Sequence, residues 1–172
     1  MKRWILLAAT IVFNVVASAQ TPDEILSVKG IELPSLPQVS GSYIPLVKSG
    51  TLVFLSGRGP LQGNGVYLAG KLGRDLDSRQ GYAAARLSAL AQLATLKAEF
   101  GNLYTIKRIV KITVFVNGTD SFTEQATVAN GCSDLLLEVF GKNGVHARSA
   151  IGVSGLPSGW PVEIEMIVET YN

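Results

Sequence analysis

Residues 106 to 116 read IKRIVKITVFV, an alternation that leaves the chain little choice of what to pack against. Side chains on a strand point to opposite faces in turn, so Val110, Ile112, Val114 and Val116 share one side while Ile109, Lys111, Thr113 and Phe115 share the other. The first side is wholly apolar, which marks a central strand whose face must be covered by a second layer. The closing segment PVEIEMIVETY has the same habit: Val162, Ile164, Met166 and Val168 alternate with Glu163, Glu165, Ile167 and Glu169.

Two amphipathic helices can supply the covering layer. Asp77 is placed to cap SRQGYAAARLSALAQLATLKAEF, in which Ala83, Leu87, Leu90 and Ala94 form a stripe widened by Leu93 and Phe100, with Gly101 as the stop. In SFTEQATVANGCSDLLLEVF, Ser121 and Glu124 have capping-box spacing, Val128, Cys132, Leu135, Leu136 and Val139 recur at helical intervals, and Gly141 ends the run. Gly131 inside that helix costs roughly 1 kcal/mol relative to alanine. Earlier, YIPLVKSGTLVFLSG reads as a hairpin about Ser49-Gly50, with Pro45 suited to an edge. Residues 57–73 read as a mobile glycine-dense loop holding a short strand at 66–68; without GxGxxG or a Lys-Ser/Thr pair it is no phosphate cradle. Residues 146–168, HARSAIGVSGLPSGWPVEIEMIV, read as a buried hairpin turning at LPSGW.

The order β-β-(β)-α-β-α-β-β gives an α+β, two-layer sandwich: one mixed sheet with two helices on one face. The opposite face carries Phe115, Ile109 and Ile167 beside Glu163 and Glu165, too apolar for water and too charged for a core. Self-association through that face, in closed cyclic symmetry, reconciles the two.

The ends of the chain set the context. MKR, the apolar run WILLAATIVFNVVA and Ala17-Ser18-Ala19 have the layout of a signal peptide over residues 1–19, cleaved after Ala19. Residues 20–42 then read as an extended lead-in and 43–172 as the single folded domain, periplasmic or secreted and off the membrane once cleaved. Lys2 and Arg3 leave with the leader, so 13 basic residues face 13 acidic ones; no basic stripe remains to track nucleic acid. Cys132, the single cysteine, forms no internal disulfide and reads as a small buried apolar group. With one histidine, His146, and one cysteine, neither a metal centre nor a serine-type triad is supported.

Arg148 stands where a polar loop becomes an apolar strand, and its planar fork suits a carboxylate. The residues alone leave two roles open, ligand binding and a salt bridge to Glu163 or Glu165 across the hairpin. Glu163 in a dry pocket would hold its proton to higher pH and so position water or exchange a proton, whereas either glutamate could simply pair with a basic residue of a neighbouring subunit.

ARSAIGVSGLP followed by VEIEMIV resembles the C-terminal signature of the RidA/YjgF family, formerly the L-PSP endoribonuclease family. VFLSGRGPL and RIVKITVFV resemble its Ser-Gly strand and its central strand, and the likeness spans residues 40–171. GRDLDSRQGYAAARL and NGCSDLLLEVFG are most similar to a branch of longer members with a chorismate-mutase-like fold. The resemblance implies a homotrimer around a central barrel, with pockets at the subunit interfaces. It also implies hydrolysis of enamines and imines of the 2-aminoacrylate type to 2-oxo acids and ammonia, without metal or organic cofactor. Carried over by motif, Arg148 holds the substrate carboxylate and Glu163 orients water or exchanges a proton. Tyr43, Ser56, Gly57, Asn130 and Ala150 fall at pocket positions. The chain departs from the pattern at Arg58, where glutamine is usual, which adds a second cation to the pocket or closes it through Glu163. It departs again at Ser42-Tyr43-Ile44-Pro45, where only the aromatic survives. The alternatives are a trimeric module that binds small carboxylates without turnover and, less favoured, an endoribonuclease.

Overall fold

A computed structural model describes residues 20–38 and 41–171; the leader assigned to 1–19 lies outside the described residues. Five strands form one sheet: β1 (Leu46–Ser49), β2 (Leu52–Arg58), β3 (Ile106–Asn117), β4 (Ala147–Val153) and β5 (Val162–Thr170). Their order is β1-β2-β5-β3-β4, antiparallel except for the β3–β4 pair, so the sheet is mixed. The helices are α1 (Pro22–Val28), α2 (Ser78–Phe100) and α3 (Gln125–Phe140). Residues of α2 and α3 join Ile112, Val114, Ile164 and Met166 in one core, so both helices cover the same face of the sheet.

The last two strands do not form the expected hairpin. β4 pairs with β3, β5 lies between β2 and β3, and the LPSGW segment therefore carries the chain across β3. A Pro-Ser-Gly turn marks where a chain reverses, without fixing which strand it returns to. The inward face of β3 is also not the one simple alternation gives. Its pairing with β5 slips between Ile106 and Arg108 and again between Ile109 and Lys111. An extra residue at a bulge shifts the phase, and Ile109 is thereby buried with Ile112, Val114 and Val116.

Asp77 and Gly101 cap α2 as expected. The Asp77 side chain accepts from the Gln80 N–H, and Gly101 takes the left-handed conformation, φ 78°. Its buried face differs from the leucine stripe, however: Gly81, Ala84, Ala85, Ser88, Ala89, Gln92, Leu93 and Leu96 are buried, whereas Ala83 is exposed. Small residues prevail because α3 comes very close. A Cβ at Gly131 would strike the backbone carbonyl of Tyr82, so the helix-propensity cost of this glycine permits the contact. α3 begins at Gln125, with no side-chain cap from Glu124 and with Ser121 outside it; the Glu124 carboxylate instead accepts from Ser78 Oγ. Val128, Cys132, Leu135, Leu136 and Val139 are all fully buried, and burial pushes the Cys132 thiol well above its ordinary pKa.

Two segments are more ordered than their composition implies. Thr21 and Glu24 form a capping box with Pro22 at N1, so the start of the lead-in is the helix α1. Leu26 is buried, and Asp23 accepts from Leu103 N at 2.7 Å and pairs with Lys97 at 3.0 Å. The glycine-dense loop is pinned rather than mobile. Leu72 is fully buried and bonded to Asn117 and Thr119 at 2.9 Å, and Tyr67 stacks on Trp160 with centroids 4.8 Å apart. The strand expected at 66–68 reduces to one bridge, Tyr67 to Leu61.

Candidate active site

Arg148 lies at the edge of the sheet on its helix side. It is in register with Ile112 and, through it, with Met166, both core residues. Its Nη1 donates to Asn130 Oδ1 at 2.7 Å and to Ser133 Oγ at 3.0 Å, both on α3. Ser133 in turn contacts His146 Nε2 at 3.1 Å, and His146 Nδ1 lies 2.6 Å from the Gly144 carbonyl. A carbonyl only accepts, so Nδ1 carries the proton. In the neutral ring Nε2 then accepts from Ser133, whose oxygen accepts from Arg148. Among the described residues the guanidinium is thus held by Asn130 and Ser133 and by no carboxylate, and it keeps donors free for a ligand. Ala150, two residues along β4, is half-buried on the same side.

Glu163 occupies the other face. It is in register with Phe115 and Ile151, half-buried, and among the described residues it forms neither a salt bridge nor a side-chain hydrogen bond. Burial raises its pKa above the ordinary carboxylate value, with the neighbouring Glu165 adding to the effect. A Cβ at Gly57 would run into the Glu163 carboxylate, so only glycine lets the group lie there. A bulge shapes this spot. Leu55 pairs with Met166 and Arg58 with Ile164, so Ser56 and Gly57 together stand opposite Glu165. Gln92 of α2 ties the bulge down by donating to the Ser56 and Ile164 carbonyls, and Ser56 Oγ donates to the Ile44 carbonyl at 2.8 Å. Tyr43, one residue away, is 56% exposed.

The expected residues therefore form two groups. Arg148, Asn130 and Ala150 sit on one face of the sheet. Glu163 with Gly57 and Ser56 sits on the other, with β3 between β4 and β5. No salt bridge links Arg148 to Glu163 or Glu165 across a hairpin, because that hairpin does not exist. Arg58 belongs to neither group. The bulge turns it to the helix side, where it is only 9% exposed and its Nε donates to Thr95 Oγ1 at 3.2 Å. Ser133, His146 and Gln92 had no motif to betray them, since each acts by holding another group in place.

A family profile described as "YjgF/chorismate mutase-like, putative endoribonuclease" matches residues 23–159. The chain belongs to the YjgF/chorismate mutase-like family. It is 45% identical to Protein TCP17 of Trypanosoma cruzi over 144 residues, 83% of this chain and 90% of that one. Among solved structures, a protein of unknown function from Agrobacterium tumefaciens, Atu1372, is 37% identical with a TM-score of 0.81, covering 88% of this chain and 94% of its own. An endoribonuclease candidate from Shewanella oneidensis MR-1 is 34% identical with a TM-score of 0.84, covering 87% and 99%. More distant, at 25% identity and a TM-score of 0.57 over 81% of this chain and 99% of its own, is TdcF of E. coli, solved with bound serine.

Proposed function

We propose that the chain is a RidA-like hydrolase of small enamines and imines whose active site forms between two copies of a homotrimer. One observation carries this reading. Among the described residues, Glu163 is a half-buried carboxylate paired with no cation, on the sheet face opposite the helices, while Arg148 is a guanidinium paired with no carboxylate, on the sheet edge. Association through the open face supplies each with the other, Arg148 of one subunit standing across a cleft from Glu163 of the partner subunit.

In that cleft Arg148, steadied by Asn130 and Ser133, takes the substrate carboxylate bidentately. The enamine tautomerises to the imine as a proton moves from nitrogen to carbon. The oxygen of water then bonds to the imine carbon, while one of its protons passes to Glu163 and on to the nitrogen. The remaining hydroxyl proton follows as the carbon–nitrogen bond breaks, releasing ammonia and a 2-oxo acid. A carboxyl that holds its proton nearer neutrality suits both transfers. Arg148 and Glu163 supply both roles without calling on a metal or cofactor, and the serine seen in the relative TdcF fits a site for small amino-acid-like carboxylates. With the leader removed, the mature chain acts in the periplasm or outside the cell, so its substrate need not be 2-aminoacrylate itself. The neutral mature charge favours this class of ligand over RNA despite the family's endoribonuclease label.

The test follows 2-oxo acid release from 2-aminoacrylate generated in situ. Arg148→Ala and Glu163→Gln are each expected to slow the reaction by about a hundredfold or more. A wild-type protein that fails to accelerate release, yet binds a 2-oxo acid in an Arg148-dependent way, would make the protein a binding module instead.

A further inference from the structure

Between the C-terminal half of α2 and the β1–β2 edge lies a cleft of about 700 Å³. Its walls are mostly apolar, with Leu36, Pro37, Ile44, Leu46 and Ala98 among them. Arg58, more than nine-tenths buried, also lines it. Among the described residues, the recorded hydrogen bond of its guanidinium is the one to Thr95, whose own hydroxyl donates to the Ala91 carbonyl at 3.0 Å, and no carboxylate forms an ion pair with it. The acid in the cleft lining, Glu99, is already engaged by Lys48 at 2.7 Å.

A guanidinium taken out of water without a counter-ion is costly. It persists where a ligand supplies the missing charge or where the terminal nitrogens stay in contact with an open cleft. The volume falls in the range of small-molecule sites, and a few polar groups at the end of an apolar cavity is how such sites orient a ligand. We propose that this cleft binds a monocarboxylate with an apolar chain, its carboxylate on Arg58 and its chain along Leu36, Ile44, Leu46 and Ala98. The site is separate from the Arg148 and Glu163 groups. It lies on the opposite side of the β2 bulge from Glu163, and arises because the bulge turns Arg58 away from that carboxylate.

Calorimetry with octanoate tests the proposal, using acetate as the charge without the chain and 1-octanol as the chain without the charge. Octanoate is expected to bind the purified protein more tightly than either control, and Arg58→Gln to weaken it roughly ten- to hundredfold, the range for a lost charge-assisted hydrogen bond. Ala98→Trp fills the cleft from an exposed helix position and is expected to abolish binding with the fold intact, which keeps the test informative if Arg58→Gln misfolds. Binding should persist in Arg148→Ala. No octanoate binding, binding indifferent to Ala98→Trp, or binding lost in Arg148→Ala would each overturn the proposal. So would an octanoate-blind protein whose mass by light scattering falls in Arg58→Gln, since Arg58 would then serve a subunit contact.

Discussion

On the helix side of the sheet, Ile112, Val114, Ile164 and Met166 of β3 and β5 are at most 1% exposed, while on the reverse of the sheet Phe54 of β2 and Ile151 of β4 are 41% and 42% exposed. The first face is closed by α2 and α3. The second carries Val47, Phe54, Phe115, Ile151 and Ile167 with Lys111, Glu163 and Glu165, and among the described residues no helix covers it. The difference teaches where stability and function separate. The closed face holds the chain folded by packing, and the open face is left for something else to complete.

The sharpest way to probe the contrast is to cut into each side. Leu136→Ala, in the fully buried stripe of α3, is expected to cost about 2–5 kcal/mol in chemical denaturation. Phe54→Glu on the open face should cost the isolated chain little, because the side chain is already half in water. It should instead shift the mass seen by light scattering to that of one chain and remove 2-oxo acid release with it. If Phe54→Glu unfolds the protein as readily as Leu136→Ala, the two faces are not different in kind. Between these lies Gly57→Ala, which forces the Glu163 carboxylate off its seat. It is expected to lower turnover by about tenfold or more while the oligomer survives, and turnover equal to wild type would show that the close approach is incidental.

The smallest effect concerns the charge on the open face. Burial raises the folded pKa of Glu163 above its unfolded value, so the folded chain binds more protons between the two values and stability falls as pH rises through that window. In the monomeric Phe54→Glu background, adding Glu163→Gln should therefore stabilise at pH 7 by no more than about 1 kcal/mol, since the half-exposed site is screened. The gain should vanish by about pH 3, more than a unit below the unfolded value, where the carboxyl is protonated in both states. An equal gain at both pH values would assign it to packing rather than charge.

What could be read in the residues tracks which features are local. The caps of α2, the α3 stripe and the mixed α+β layering rest on neighbouring residues and were legible. Ile109 was assigned to the wrong side because an irregularity between it and Lys111 shifts the alternation by one residue, as the β2 bulge does ahead of Arg58, and a bulge has almost no signature beyond a glycine such as Gly57. The hairpin expected at 146–168 failed because strand pairing is non-local; the alternation of β5 says which residues face the core and not which strands lie beside it. α1 was legible in Thr21-Pro22-Asp23-Glu24 but was hidden by the Pro- and Ser-rich residues that follow. As for the site, Arg148 and Glu163 stood out by residue type and Gly57 only through the family resemblance, whereas Ser133, His146 and Gln92 become visible only through the contacts they make.

The central claim is that one catalytic site needs Arg148 from one chain and Glu163 from another. Subunit mixing addresses it directly: purified Arg148→Ala and Glu163→Gln proteins, each inactive alone, are unfolded together, refolded as hybrids and assayed for 2-oxo acid release. With random assembly, about a quarter of the interfaces should bring an intact Arg148 to an intact Glu163, and activity should return to roughly that fraction of wild type. Hybrid oligomers confirmed by mass that remain as inactive as their parents would contradict the account.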